Sequence, residues 1–148
     1  MRGLFTRRDL AALLLSGALL GLAPIVGALA YAQDAPPDHE PADPTRMTPE
    51  ERRHVPVLGL PSQVRVDRPF DVMVQVGLET HPMRESHHID HIEVQLDGQK
   101  VFDATLSPSV GYPVVRVPLV VSESATLTVR AHCNLHGTWR TQRALEAR

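Results

Sequence analysis

With 148 residues the chain has room for one domain, and 43% hydrophobic against 4% aromatic residues means a core built mainly from Val, Leu and Ile. That composition suits a small β-rich domain and argues against an aromatic-lined ligand pocket. A formal net charge of -2, with no basic block beyond the first residues, excludes a nucleic-acid-binding surface.

The N-terminus reads as an export signal. Thr6-Arg7-Arg8-Asp9-Leu10 precedes an apolar stretch from Ala11 to Ala30, and Ala30-Tyr31-Ala32 forms a small-residue cleavage site before Gln33. Paired arginines ahead of such a run match a twin-arginine signal peptide over residues 1–32. The run approaches the length of a membrane anchor, but Gly17, Gly21, Pro24 and Gly27 weaken it as a spanning helix. The expectation is recognition by twin-arginine export machinery, cleavage, a periplasmic or otherwise exported location, and no stable membrane association afterwards. Cleavage removes three arginines and one aspartate, so the net charge moves from -2 to -4.

Residues 33–50 are rich in Pro, Asp and Glu and read as a disordered spacer. From about Val55 the pattern becomes that of strands, and the domain is expected over 51–148. Phe70, Val72, Val74, Val76 and Leu78 alternate with other residues, the period-2 mark of a half-buried strand. Ile92, Val94 and Leu96 alternate likewise; Asp97-Gly98 is a two-residue hairpin signal, and Val101-Phe102 begins the return strand. Pro113 to Val121 is another Val-rich strand, and Ala125, Leu127, Val129 and Ala131 form the inward parity of a last one. No helical periodicity follows the signal. Short strands separated by turns predict an all-β fold, an antiparallel β-sandwich.

The last of these strands carries the chemistry. Its parity turns Cys133 toward the core and His132 away. The only cysteine of the chain cannot form an internal disulfide, which leaves a free thiol, an intermolecular bridge or a metal thiolate. Cys133 and His136, three positions apart across a turn, can converge on one ion, and thiolate with imidazole suits iron, copper or zinc. Alone this is a weak signal. His54, His81 and the pair His87-His88 lie at the ends of other strands, where they can meet it at one rim. Blue copper would want a Met beyond the Cys–His segment, and none follows Met83. Structural zinc sites are usually Cys-rich. Four imidazoles and one thiolate leave an octahedral ion one open position, which suits small-molecule redox chemistry at iron.

Glu51-Arg52-Arg53-His54-Val55-Pro56, His81-Pro82-Met83 with His87 six residues on, and Cys133-Asn134-Leu135-His136-Gly137 with Trp139 resemble the superoxide reductases. These comprise the iron-binding domain of desulfoferrodoxin and the smaller neelaredoxins. The resemblance covers about residues 51–142. It implies an immunoglobulin-like β-sandwich and a single mononuclear non-haem iron, Fe(2+)/Fe(3+), held by His54, His81, His87, His136 and axial Cys133. It also implies reduction of superoxide to hydrogen peroxide, with electrons from an unidentified donor. A rubredoxin-like domain needs four further cysteines, so the chain would be a one-iron form. Many members have Glu-Lys where this chain has Arg52-Arg53. Arg53 keeps the positive charge that draws in superoxide, and Glu51, one residue further from His54, is the carboxylate candidate for the site. His91 stands where many members have Trp.

Of the other histidines, His39 is expected to be solvated and His132 to lie on the surface. His88 should point away from His87, the ligand selected by spacing from His81, and His91 should lie on the sheet surface. Two other functions fit the residues: a non-catalytic iron-binding or electron-transfer protein with the same cage, or a metal-free immunoglobulin-like binding module. The sequence leaves homo-oligomerisation open.

Overall fold

The computed structural model describes residues 37–79 and 81–148. The signal segment and the start of the spacer lie outside the described residues. Among the described residues one short helix, α1 (Pro49–His54), precedes seven strands: β1 (Pro56–Gly59), β2 (Phe70–Val76), β3 (Ile89–Leu96), β4 (Gln99–Thr105), β5 (Val114–Leu119), β6 (Ala125–Cys133) and β7 (Gly137–Leu145). They form two antiparallel sheets, β1-β2-β5 and β4-β3-β6-β7.

Strand parity builds the core. Val72, Val74 and Val76 of β2 and Val117 of β5 face Ile92 and Val94 of β3 and Leu127, Val129 and Ala131 of β6, all within one cluster and almost fully buried. Each such Val, Leu or Ile contributes roughly 1.5–3 kcal/mol by leaving water. Cys133 continues the β6 parity and is 0% exposed. The fold class is therefore the all-β sandwich expected.

The strand order follows from turn chemistry. Asp97 and Gly98 both have positive φ, 49° and 80°, the conformation of a tight hairpin turn. Two residues give no length to cross between sheets, so β4 must fold back on β3. In constant-type immunoglobulin domains the fourth strand instead joins the sheet of the first, second and fifth. Here it extends the sheet of β3, β6 and β7, the one feature of strand order that differs.

Four expectations need correction. The segment 37–48 is not a free spacer: His39 forms a parallel bridge with Trp139, and Asp38 and Glu40 pair with Arg130 and Arg140 at 2.7 and 2.5 Å. A helix does follow, because Thr48-Pro49-Glu50-Glu51 is a capping box with Pro in the first turn, a local signal that needs no periodicity. β2 ends at Val76, since Gly77 turns the chain at φ 89° and leaves Leu78 51% exposed. Finally, β6 is not the last strand. β7 was hidden because its middle, Arg140 to Arg143, is polar; it is held by nine backbone pairings to β6, and charged side chains suit its place at the sheet edge.

Candidate metal centre

Four elements deliver the donors to one rim of the sandwich. His54 is the last residue of α1, and His81 and His87 lie on the connection between β2 and β3. Cys133 ends β6, and His136 sits in the turn before β7. Ligand atoms of His54, His81, His87 and Cys133 all lie within 4.8 Å of one another. His136 closes the set: its ring centroid is 4.6 Å from that of His54 and 4.7 Å from that of His87, and its Nδ1 is 3.5 Å from Cys133 Sγ. His81 in turn lies 4.6 Å from His54 and 4.7 Å from His87. The four imidazoles thus form a closed square in which neighbours meet edge-on, at 72° to 77° between planes.

Hydrogen bonds set which nitrogen faces inward. The Nδ1–H groups of His54 and His81 donate to the carbonyls of Glu50 and Pro82, at 2.8 and 2.7 Å. A carbonyl only accepts, so Nδ1 carries the proton and Nε2 keeps a lone pair. The Nε2 atoms of His54, His81 and His87 are buried with no hydrogen-bond partner. Such atoms cost roughly 1–3 kcal/mol each when nothing meets them, so three converging on one point mark a site for a cation. Burial, with the other imidazoles adding to it, holds His54 and His87 below the usual histidine range and pushes His81 down to about 4. All three are therefore neutral ligands at neutral pH. Burial raises the Cys133 thiol, while backbone N–H groups of Leu135 and His136 favour its anion. A bound cation would tip that balance to thiolate. Four imidazoles and one thiolate are a donor set for a single transition metal, with softness against calcium or magnesium.

Local devices hold the loops in place. Arg84 and His87 exchange backbone hydrogen bonds at 3.0 and 2.9 Å, closing a tight turn. Asn134 accepts from His88 N–H at 2.9 Å and donates its own N–H to His88 O at 3.1 Å, clamping that turn to the one bearing His136. An irregularity in β3 between Ile89 and His91 places Ile89 opposite Cys133. Gly77 packs where a Cβ would come 2.5 Å from Arg53 O, and its N–H donates to Val55 O at 2.9 Å, seating α1 against the end of β2.

The remaining candidates divide. His88 points away and donates from Nδ1 to Arg84 O at 3.0 Å. His132 pairs with Asp90 at 2.6 Å and His91 with Asp103 at 3.2 Å, both outside the cluster. Arg53 is about half exposed beside His54. Glu51 is corrected as a site residue. Its two carboxylate oxygens accept from Ala42 N–H and Thr48 N–H at 3.0 and 2.7 Å, and these bonds, that from Thr48 foremost, hold its carboxyl below the usual range. It caps α1, with both oxygens turned to backbone N–H groups there, and it is not among the converging donors. Sequence reasoning missed Glu79, which pairs with Arg52 at 2.9 Å and Arg53 at 3.6 Å. It also missed the packing of Trp139 on His54, with centroids 5.2 Å apart and planes 21° apart. Only the proximity of Trp139 to the Cys–His motif pointed to the second.

Residues 46–142 match the family model of desulfoferrodoxin. Among curated relatives, a putative superoxide reductase of Thermotoga maritima is 28% identical over 115 residues, covering 65% of this chain and 88% of that one. A desulfoferrodoxin homologue of Methanothermobacter thermautotrophicus is 36% identical over 95 residues, covering 64% of this chain and 66% of that one. Of solved structures, a superoxide reductase (neelaredoxin) variant of Ignicoccus hospitalis superimposes with a TM-score of 0.63 at 27% identity, over 75% of this chain and 94% of that one. The Thermotoga maritima structure gives 0.58 at 29% identity, over 67% and 89%. With that match running through every one of the five converging donors, the chain belongs to the desulfoferrodoxin, or superoxide reductase, family.

Proposed function

We propose that the protein is a superoxide reductase, in which superoxide, one electron and two protons give hydrogen peroxide at one mononuclear non-haem iron. The observation that carries this is the square of imidazoles beside a buried thiol, with three inward Nε2 atoms lacking partners. His54, His81, His87, His136 and Cys133 would hold the iron. Bound there, iron would supply the one-electron redox chemistry, and the Cys133 sulfur would tune its potential.

The chain's own residues prepare the approach. Arg53, half-exposed and adjacent to His54, draws in an anion, and salt should weaken that pull. Arg52 adds positive charge, and Glu79 offsets part of both. Glu51, engaged at the α1 N-terminus, supplies no carboxylate to the metal. The same commitment favours a second reading, a non-catalytic iron-binding or electron-transfer protein.

One experiment separates the two. The protein is loaded anaerobically with ferrous iron and mixed with superoxide generated by pulse radiolysis. Rapid stoichiometric oxidation with release of peroxide is expected, and Arg53→Gln should slow the bimolecular rate and flatten its salt dependence. Ferrous protein that fails to react would overturn the reductase reading and leave the second. Export is proposed by the twin-arginine route, which carries folded proteins and would allow iron loading beforehand. Replacing Arg7 and Arg8 by Lys should retain the protein in the cytoplasm; unchanged export would refute this.

A further inference from the structure

His39 lies ahead of the family-matched region, which begins at residue 46, yet it packs on Trp139, the indole that lies against His54. The His54 imidazole lies against the Trp139 indole, with centroids 5.2 Å apart and planes 21° apart. The exposed His39 ring covers the indole at 5.1 Å and 32°. Three π systems thus run from solvent to a ligand of the centre. The outer one is fixed by backbone: His39 N–H donates to Thr138 O at 2.7 Å and Arg140 N–H donates to His39 O at 2.8 Å, so the segment pairs along the free edge of β7. Asp38 with Arg130 and Glu40 with Arg140 pin it on either side of His39.

Among the described residues no group hydrogen-bonds the indole. Trp139 is 5% exposed, and its Nε1–H is buried without a partner. A buried Trp usually finds an acceptor for that group, which then fixes the ring. Here stacking and apolar packing must do so.

We infer that His39 is a positioning residue of the metal centre, clamping Trp139 onto His54 and so holding the plane of that ligand imidazole. The inference rests on the metal-centre reading given above. Its action is indirect, because His39 touches the indole and not the ligand. Outer partners of metal ligands typically change metal affinity about 10- to 100-fold when lost. A residue one contact further out should lie at the lower end, about 10-fold.

Trp139 is the only tryptophan of the chain, so its fluorescence reports the stack without interference. In the metal-free full chain, His39→Ala should shift Trp139 emission to the red and move the His54 ring-proton resonances, which carry the ring current of the indole. In the iron-loaded protein the same change should speed removal of ferrous iron by a chelator about 10-fold. His39→Phe, which keeps a stacking face, should restore all three. His54 resonances unmoved in His39→Ala would overturn the inference, as would His39→Phe behaving like His39→Ala. If the parent protein binds no iron, the proposed function fails, while the metal-free measurements still decide the role of His39.

Discussion

Among the described residues two clusters of metal-ligating side chains lie in this domain, and they differ in burial and in what already pairs with them. His54, His81, His87 and Cys133 meet at the rim of the sandwich; His91, Glu93 and Asp103 meet on the outer face of the β3–β4 hairpin. In the first, the Nε2 atoms of His54, His81 and His87 are buried and unpartnered. In the second, Lys100 approaches Asp103 at 2.9 Å and Glu93 at 3.8 Å, Arg130 reaches Glu93 at 3.6 Å, and His91 pairs with Asp103. Cations of the protein already stand where a metal would. Proximity of donors is thus poor evidence for a metal, and unmet buried lone pairs are good evidence, because only those carry a cost that an ion relieves.

The comparison is broken most directly at Cys133. Cys133→Ser should abolish any thiolate-to-iron charge-transfer absorption and lower iron affinity by more than the about 10- to 100-fold of an outer-partner change. Measured iron stoichiometry should be one per chain in the parent, with the outer cluster empty. An unchanged visible spectrum in Cys133→Ser would exclude the sulfur as a ligand.

Acid should act next most strongly, and on the first cluster. His81 takes up a proton at 6.5 when unfolded and at about 4 when folded. Between those values the unfolded chain binds more protons, so stability is complete above about pH 6.5 and falls as pH drops toward 4. The shift amounts to about 3 kcal/mol at the acid end, in urea titrations of metal-free protein. Lowered His54 and His87 act in the same direction. Metal-free stability that is flat across this range would show that the buried imidazoles are not held neutral.

A pair of glycines sharpens the contrast between site and hairpin. A Cβ at Gly77 would come 2.3 Å from Glu79 O and 2.5 Å from Arg53 O, at φ 89°. Gly77→Ala should cost about 3 kcal/mol and weaken iron binding by displacing α1 and His54. Gly98 has a similar φ of 80° but open space around it, so Gly98→Ala should cost only the left-handed penalty of about 1 kcal/mol and leave iron binding unchanged. The smallest effect belongs to the outer cluster. Asp103→Asn removes exposed, solvent-screened ion pairs and should leave the urea midpoint nearly unchanged, with no change in metal content.

Much of this architecture is legible along the chain. The inward rows of β2 and β6, the Asp97-Gly98 turn and the burial of Cys133 follow from period-2 alternation and from the backbone angles that Gly tolerates. Those are properties of neighbouring residues, so no tertiary knowledge is needed. The family motifs supplied the ligand set, and the structure brings those residues together. The α1 helix was equally local, written in Thr48-Pro49-Glu50-Glu51, but six residues are too few for a hydrophobic period. β7 left no such trace, because its middle residues are polar and its stability comes from the ladder with β6.

What the sequence by itself determined is the all-β class and the facing of β2, β3 and β6, while the family resemblance named the candidate donors. Tertiary structure alone decided how the groups around those donors are employed. Glu51, adjacent to the ligand helix end, is spent on Thr48 and Ala42; Glu79, 27 positions from Arg52, becomes its ion-pair partner. Asp38 finds Arg130 across 92 positions, and with it His39 arrives on Trp139. The physical reason is range: alternation and turn chemistry act between neighbours, whereas ion pairs and ring stacking depend on surfaces that exist only once the sheets have closed.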